Sequence, residues 1–347
     1  MSFIDFNEIV REAWESYDSS REIVRIEDIS AKVSTNHVYR ITLKDHNLIV
    51  AKLSYFGKFE HFVEDHSIIN ALSNNLPEPF DNFLSRSLMK GNELFIHRHH
   101  TEVIDAWVVF YRPIKIKKKL PRRLNGDQIK KFARETAKFH KACSTVKGTL
   151  PPSAKTMSVD IDDLMESLKT DEGKFHFNMH GDLILKHCEL FKENYKKLDG
   201  DSFDTIPVFV DWNIGNFSVT PGLKLFSRWD YDWFRMSSRI MDFYFFSRVV
   251  SDRGDRTVFT YNIDILMEER FILFLMSYHA VFPLTEREIL LLKETYRFFL
   301  LTYVIKYGRY FFHEIFATKL QKEAFEIHLP SIEKKFDPSL LLKALKL

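Results

Sequence analysis

The sequence predicts an α+β protein of two lobes: a small amino-terminal lobe built on an antiparallel sheet, and a larger, mainly helical carboxy-terminal lobe. Three observations predict it. The 347 residues exceed the usual size of one hydrophobic core. Apolar and β-branched runs of strand length crowd the first 112 residues. Beyond Arg112-Pro113 the apolar residues recur at helical spacing instead. The expected lobes are therefore 1–112 and 113–347, with a cleft between them.

Residues 4 to 17 read as a short amphipathic helix. Ile23 to Ile29, Val38 to Ile41 and Leu48 to Leu53 follow as strands, separated by polar turns such as Lys44-Asp45-His46-Asn47. From Lys58 to Leu72 the apolar positions Phe59, Phe62, Val63, Ile68, Ile69 and Leu72 fall at helical spacing, and Pro77 and Pro79 end that helix. The runs Glu93 to Ile96 and Trp107 to Tyr111 complete a sheet of about five strands. Asn125-Gly126-Asp127-Gln128 is a helix start signal for a helix running to Thr145. Leu150-Pro151-Pro152-Ser153 is a loop, Leu183 to Leu198 a further helix, and 257–327 a set of long helices rich in Phe, Tyr and Leu.

Composition narrows the function classes. A net charge of +2 gives no general case for nucleic acid or an anionic membrane as partner. Cys143 and Cys188 have neither metal spacing nor a disulfide pattern, which suits a reducing cytoplasm. The amino terminus lacks the basic start and apolar run of a signal peptide, and the longest apolar stretches are too short to span a bilayer. The expectation is a soluble cytoplasmic protein whose oligomeric state the sequence does not set.

Chemistry concentrates in Val210-Asp211-Trp-Asn-Ile-Gly-Asn216 and Arg228-Trp-Asp230-Tyr-Asp232. An acid, an amide five residues on, and a further acid after a short apolar stretch is the spacing needed by a phosphotransferase that uses Mg-ATP. One acid orients an attacking hydroxyl, while the amide and the second acid offer hard oxygen ligands to magnesium. Such a site also needs a lysine on a strand of the small lobe, and Val50-Ala51-Lys52-Leu53 supplies one. A lone strand lysine is usually solvated, so Lys52 counts only with the rest. An acid on the following helix would position it; helix phase favours Glu64 over Glu60.

The ordered set Asn36-His-Val-Tyr39-Arg, Val-Ala-Lys52, Glu64, Phe139-His140, Asp211 to Asn216, Trp-Asp230-Tyr-Asp232 and Asp242 resembles the aminoglycoside phosphotransferase and choline kinase-like family. The resemblance runs from residue 34 to about 246. It implies a bilobal protein-kinase-like fold, ATP and Mg2+ as cofactors, and transfer of the γ-phosphoryl to a hydroxyl of a small-molecule acceptor. Carried over, Asp211 is the catalytic base and Asn216 and Asp230 are the metal ligands. Lys52 and Glu64 serve the phosphates, Ser34 and Thr35 cover them, and backbone groups of Phe110, Tyr111 and Arg112 receive the adenine. Asp242 matches an acid that ties the catalytic loop in place.

Two departures stand out. The family writes His-Gly-Asp where this chain has Phe209-Val210-Asp211, leaving Phe209 to brace the loop by packing. The phosphate-covering turn, Val33 to His37, has no glycine, so the hydroxyls of Ser34 and Thr35 must share the work of backbone amides. His180-Gly181-Asp182-Leu183 repeats the family letters, but its fifth position is His187 rather than Asn and no strand follows. Asp182 is accordingly read as a helix cap. His97-Arg98-His99-His100 is read as structural, because adjacent histidines on a strand point to opposite faces. The basic run Lys115 to Arg123 is read as a solvated loop. Alternatives to a small-molecule kinase are a catalytically impaired nucleotide-binding pseudokinase or scaffold, and a kinase acting on protein.

Overall fold

The computed structural model describes residues 4–31, 36–252 and 260–347. Helix α1 (Phe6–Asp18) starts where the Asp5 side chain accepts the Asn7 amide at 2.8 Å, and it buries Ile9, Val10, Ala13 and Trp14. Strands β1 (Ile23–Asp28), β2 (His37–Leu43) and β3 (Leu48–Ser54) form a meander, followed by α2 (Phe59–Asn75). A small hairpin of β4 (Met89–Lys90) and β5 (Glu93–Leu94) turns through Gly91, whose φ of +61° only glycine adopts without strain. Then come β6 (Ile96–His100) and β7 (Asp105–Tyr111). The five long strands make one antiparallel sheet in the order β1-β2-β3-β7-β6.

Period-two alternation sends the two sides of that sheet to different cores. Ala51, Leu53, Val108 and Phe110 face α1 and close a small core with Trp14, Ile41 and Leu43. Val109 and Tyr111 point the other way and join Ile68, Ile69 and Leu72 of α2 in the core of the large lobe. The edge strand β6 begins at Ile96, later than the run Glu93 to Ile96 suggests, because Glu93 and Leu94 are spent in the hairpin.

Past β7 the chain runs extended over the large lobe. Val219 N donates to Lys118 O at 2.8 Å and Ser227 Oγ to Lys115 O at 2.9 Å, so the basic run is moored by its backbone while its lysines face solvent. Helix α3 (Gly126–Val146) opens with a capping box between Asn125 and Gln128. Helices α4 (Met157–Ser167), α5 (Asp171–Phe177) and α6 (Gly181–Lys197) follow. Next are β8 (Ile206–Val208), β9 (Phe217–Val219), β10 (Leu225–Arg228) and β11 (Arg235–Ser237), paired β8 with β11 and β9 with β10. The remainder is helical: α7 (Phe243–Val250), α8 (Glu269–His279), α9 (Glu286–Phe299), α10 (Gly308–Phe311), α11 (Glu314–Glu323), α12 (Leu329–Lys335) and α13 (Pro338–Leu345). Widened π-helical turns at Leu300–Lys306 and Ala324–His328 extend α9 and α11. No described helix is long and apolar enough to cross a membrane.

Candidate active site

Lys52 lies on β3 opposite Val109 and therefore points away from α1, toward the large lobe. It is buried, and its ammonium meets two carboxylates from the segment after β10: Asp230 Oδ1 at 3.2 Å and the closer Asp232 Oδ1. Burial works against the charged lysine, but the two carboxylates outweigh it and raise its pKa. Burial likewise pushes the Asp232 carboxyl up, and its neighbour Asp230 adds to the shift. At Asp230 the same desolvation is overcome by Lys52, which holds that carboxyl below the usual range. Buried together around one ammonium, the two carboxyls titrate as a pair rather than as separate sites. Asn36 Nδ2 donates to the other oxygen of Asp232, so the residue just before β2 also reaches across to this segment. Asp230 has a φ of +68°, a left-handed conformation that Asp tolerates better than most residues.

The strip continues into the loop after β8. Asp211 Oδ1 accepts the Asn213 amide at 3.1 Å, and Oδ2 accepts Asn216 Nδ2 at 3.0 Å. Asn216 O in turn accepts the amide of Trp229 at 3.0 Å, the residue before Asp230. Asp211, Asn216, Asp230 and Lys52 are thus gathered along one line of contacts.

Buried groups hold the loop around Phe209. Arg228 is fully buried between the rings of Phe209 and Trp212, 4.5 and 4.4 Å from their centroids, and its Nη2 donates to Asp211 O at 2.8 Å. Its Nε and Nη1 have no hydrogen-bond partner among the described residues, and desolvation lowers its pKa. Asp242 Oδ1 accepts the amides of Phe209 and Val210 at 3.0 and 2.7 Å. Its Oδ2 lies 3.0 Å from His140 Nε2, and His140 Nδ1 lies 2.7 Å from the Tyr278 hydroxyl. Asp242 is therefore the tie that the sequence suggests, backed by a buried histidine and tyrosine. Val210 forms the centre of a tight turn, with φ +57° and Asp211 N donating to Phe209 O at 2.6 Å. This is the γ-turn of the strained hand, unusual for a β-branched residue.

Other expected contacts are not made. Glu64 does not pair with Lys52: its Oε1 accepts Ser153 Oγ at 2.5 Å and the Ala154 amide at 3.0 Å, which pins the 151–155 loop to α2. The turn of α2 facing the lysine presents His66, whose Nε2 lies 2.7 Å from the Tyr111 hydroxyl. Desolvation lowers the pKa of His66 to about 3, so it is neutral. Asp232 supplies the acid that the helix does not. At the expected adenine edge, Phe110 O accepts Leu88 N at 2.7 Å and Arg112 N donates to Arg86 O at 3.1 Å, so two of those backbone groups are committed to the 86–88 segment. The Phe110 ring is buried in the α1 core, edge-on to Trp14, and cannot touch a ligand. Tyr111 enters through its side chain, between His66 and Tyr231. Ser34 and Thr35 lie outside the described residues. Asp182 is exposed in the first turn of α6, which begins at Gly181 with His180 rather than Asp182 at the cap position.

A cavity of about 600 Å³ opens beside Asp232. Its walls come from α2 and the loop before it, the Tyr231 to Arg235 segment and the Thr302 to Phe311 region. Tyr303, Tyr307 and Phe311 give it an aromatic side; the ion pairs Lys155 with Asp65 (2.5 Å) and Arg235 with Asp160 (2.9 Å) give it a charged one. Sequence reasoning missed His66, Arg228 and the Tyr111 hydroxyl, because buried polar residues of this kind carry no spacing signal.

No protein-family model and no curated protein sequence matches the chain. Solved structures do. Amicoumacin kinase hAmiN, in a complex with AMP-PNP, Ca2+ and Ami, superposes with a TM-score of 0.67 at 12% identity, covering 97% of each chain. Aminoglycoside 2'-phosphotransferase-IIIa, as its GDP complex, gives 0.56 at 12% identity over 96% of this chain and 100% of that one. A microcompartment-associated aminopropanol kinase gives 0.52 at 13% identity over 98% and 96%. The chain therefore has the bilobal protein-kinase-like fold of these small-molecule kinases.

Proposed function

We propose that this chain is a small-molecule kinase that moves the γ-phosphoryl of Mg-ATP to a hydroxyl of its acceptor. The observation that carries the reading is Lys52 of the small lobe meeting Asp230 and Asp232 of the large lobe, with the Asp211 to Asn216 loop alongside. Likeness of fold to kinases of antibiotics and of aminopropanol supports it.

The donor set fits magnesium: the Asp230 carboxylate, beside the Lys52 ammonium, and the Asn216 side-chain oxygen are hard ligands on adjoining segments. Bound there, the ion would supply charge neutralisation on the phosphates. Lys52 binds phosphate oxygens with its ammonium, and Asp232 holds that ammonium in position. Asp211 accepts a hydrogen bond from the acceptor hydroxyl and aligns it; the hydrogen bonds from Asn213 and Asn216 fix the plane of its carboxylate. Because little covalent chemistry is left to the protein, the stiffness of the loop matters most. Arg228, Asp242 and His140 provide it.

The acceptor enters by the aromatic and charged cavity, whose volume falls in the range of small-molecule pockets. The test is a coupled ATP-consumption screen over hydroxylated amines, amino acids, sugars, aminoglycosides, macrolides and aminopropanol, with Asp211→Asn as control. Acceptor-dependent turnover lost in the control supports the proposal. Mg-ATP binding without turnover on any acceptor would point to a pseudokinase.

A further inference from the structure

On the face of the sheet opposite Lys52, α1 and the edge strand β6 bring together a second set of ligating groups. Alternation along β6 turns Arg98 and His100 out and sends both His97 and His99 toward α1, where His97 pairs with Val108 of the α1 core. Separation by one residue, rather than adjacency, makes the pair. Glu12, on the flank of α1 next to buried Ala13, reaches over both: its Oε1 lies 3.3 Å from His97 Nε2 and its Oε2 lies 2.7 Å from His99 Nδ1. Among the described residues this is the one group of three His, Cys, Asp or Glu whose ligand atoms all fall within 4.8 Å of one another.

We propose that Glu12, His97 and His99 form a binding site for a divalent transition-metal ion, zinc by its donor chemistry, which pins α1 to the edge of the sheet. A tetrahedral zinc with bonds of about 2.0–2.1 Å holds its ligand atoms about 3.3 Å apart, which is the observed spacing of His97 Nε2 and Glu12 Oε1. His97 Nε2 is buried and its approach to Glu12 Oε1 is not aligned as a hydrogen bond, so a ligand role would satisfy it. Two imidazoles and a carboxylate favour zinc, copper or nickel over magnesium and calcium, which prefer oxygen. Glu12 is about half exposed, leaving water access to a fourth position. No cation competes from the strand: Arg98 lies over the Phe59 ring on the α2 side and is paired with Asp105 at 2.6 Å. The site is independent of the phosphotransfer reading, since the sheet stands between it and Lys52.

Titration of the full chain with Zn2+ by calorimetry, with Mg2+ in excess, tests this. One equivalent should bind, the melting temperature should rise with added Zn2+, and affinity should fall as pH drops through the histidine range. Co2+ should give the visible absorption of a tetrahedral ion. Both the double variant His97→Ala, His99→Ala and the milder Glu12→Gln should weaken Zn2+ binding by at least about tenfold, with circular dichroism establishing that each is folded. No single-equivalent binding by the unmodified chain, or unchanged affinity in folded Glu12→Gln and the double variant, would overturn the proposal and leave the three groups as an ion-paired staple.

Discussion

Val210 offers the sharpest test of how the loop before Asp211 is built. Its backbone sits at φ +57° inside a γ-turn while its side chain is 1% exposed, so the residue suffers strain and gains burial at once. Truncation to alanine removes two buried carbons, about 1.6 kcal/mol of transfer free energy at ~0.8 kcal/mol each, with more for the cavity. The strain remains, because alanine keeps its Cβ. Going on to glycine loses one further carbon, about 0.8 kcal/mol, but relieves about 1–2 kcal/mol of left-handed strain. Glycine also costs about 0.5–1 kcal/mol of chain entropy, so Val210→Gly should match Val210→Ala in stability to within about 1 kcal/mol. At an ordinary buried position glycine would fall below alanine by about 1–2 kcal/mol, from lost burial and added chain entropy. Parallel denaturant melts of the two variants decide between these orders. A glycine variant less stable than alanine by more than about 1 kcal/mol would refute the argument that the turn is strained.

Asp211→Asn should cut turnover by about 10²–10⁴-fold with Mg-ATP affinity nearly unchanged, measured by steady-state kinetics and nucleotide titration. Asp230→Ala should abolish the Mg2+ dependence of nucleotide binding, read as loss of the thermal shift with Mg-ATP. Glu64→Gln should change nucleotide affinity by less than about threefold, since Glu64 holds Ser153 and Ala154 rather than Lys52, whereas Asp232→Ala should weaken it by about tenfold or more. For His66, burial lowers the folded pKa to about 3, so the unfolded chain binds the proton more readily and stability is lost as pH falls below about 6.5. His66→Gln should remove about 3 kcal/mol of the loss between pH 6.5 and 4, measured by melts across that range.

The small-lobe sheet was legible because alternating apolar residues and polar turns mark each strand, and the first helix of the large lobe because Asn125 and Gln128 announce it. Nothing in the sequence marks helices α4 and α5: the 157–177 stretch is short, polar and capped by threonines, which leaves little periodicity to read. Spacing along the chain singles out Asp211, Asn216 and Asp230, and strand position singles out Lys52; contacts link the segments that carry them. Helix phase selected Glu64 and failed, because phase says which side of α2 a residue occupies and not which neighbour competes for it; the 151–155 loop took Glu64 first. The strand histidines read as structural because neighbours on a strand point to opposite faces; His97 and His99, two apart, share one.

Arg228 closes β10 two residues before Asp230 and clasps the carbonyl of Asp211. The two acids are thereby mounted on a single bracket: the guanidinium that holds the backbone of one stands at the end of the strand that leads to the other. A shift of that strand end is therefore passed to the backbone of Asp211 through the guanidinium. A conservative Arg228→Lys exchange, which cannot fill the slot between two rings in the same way, would misalign both acids together, although it touches neither carboxylate.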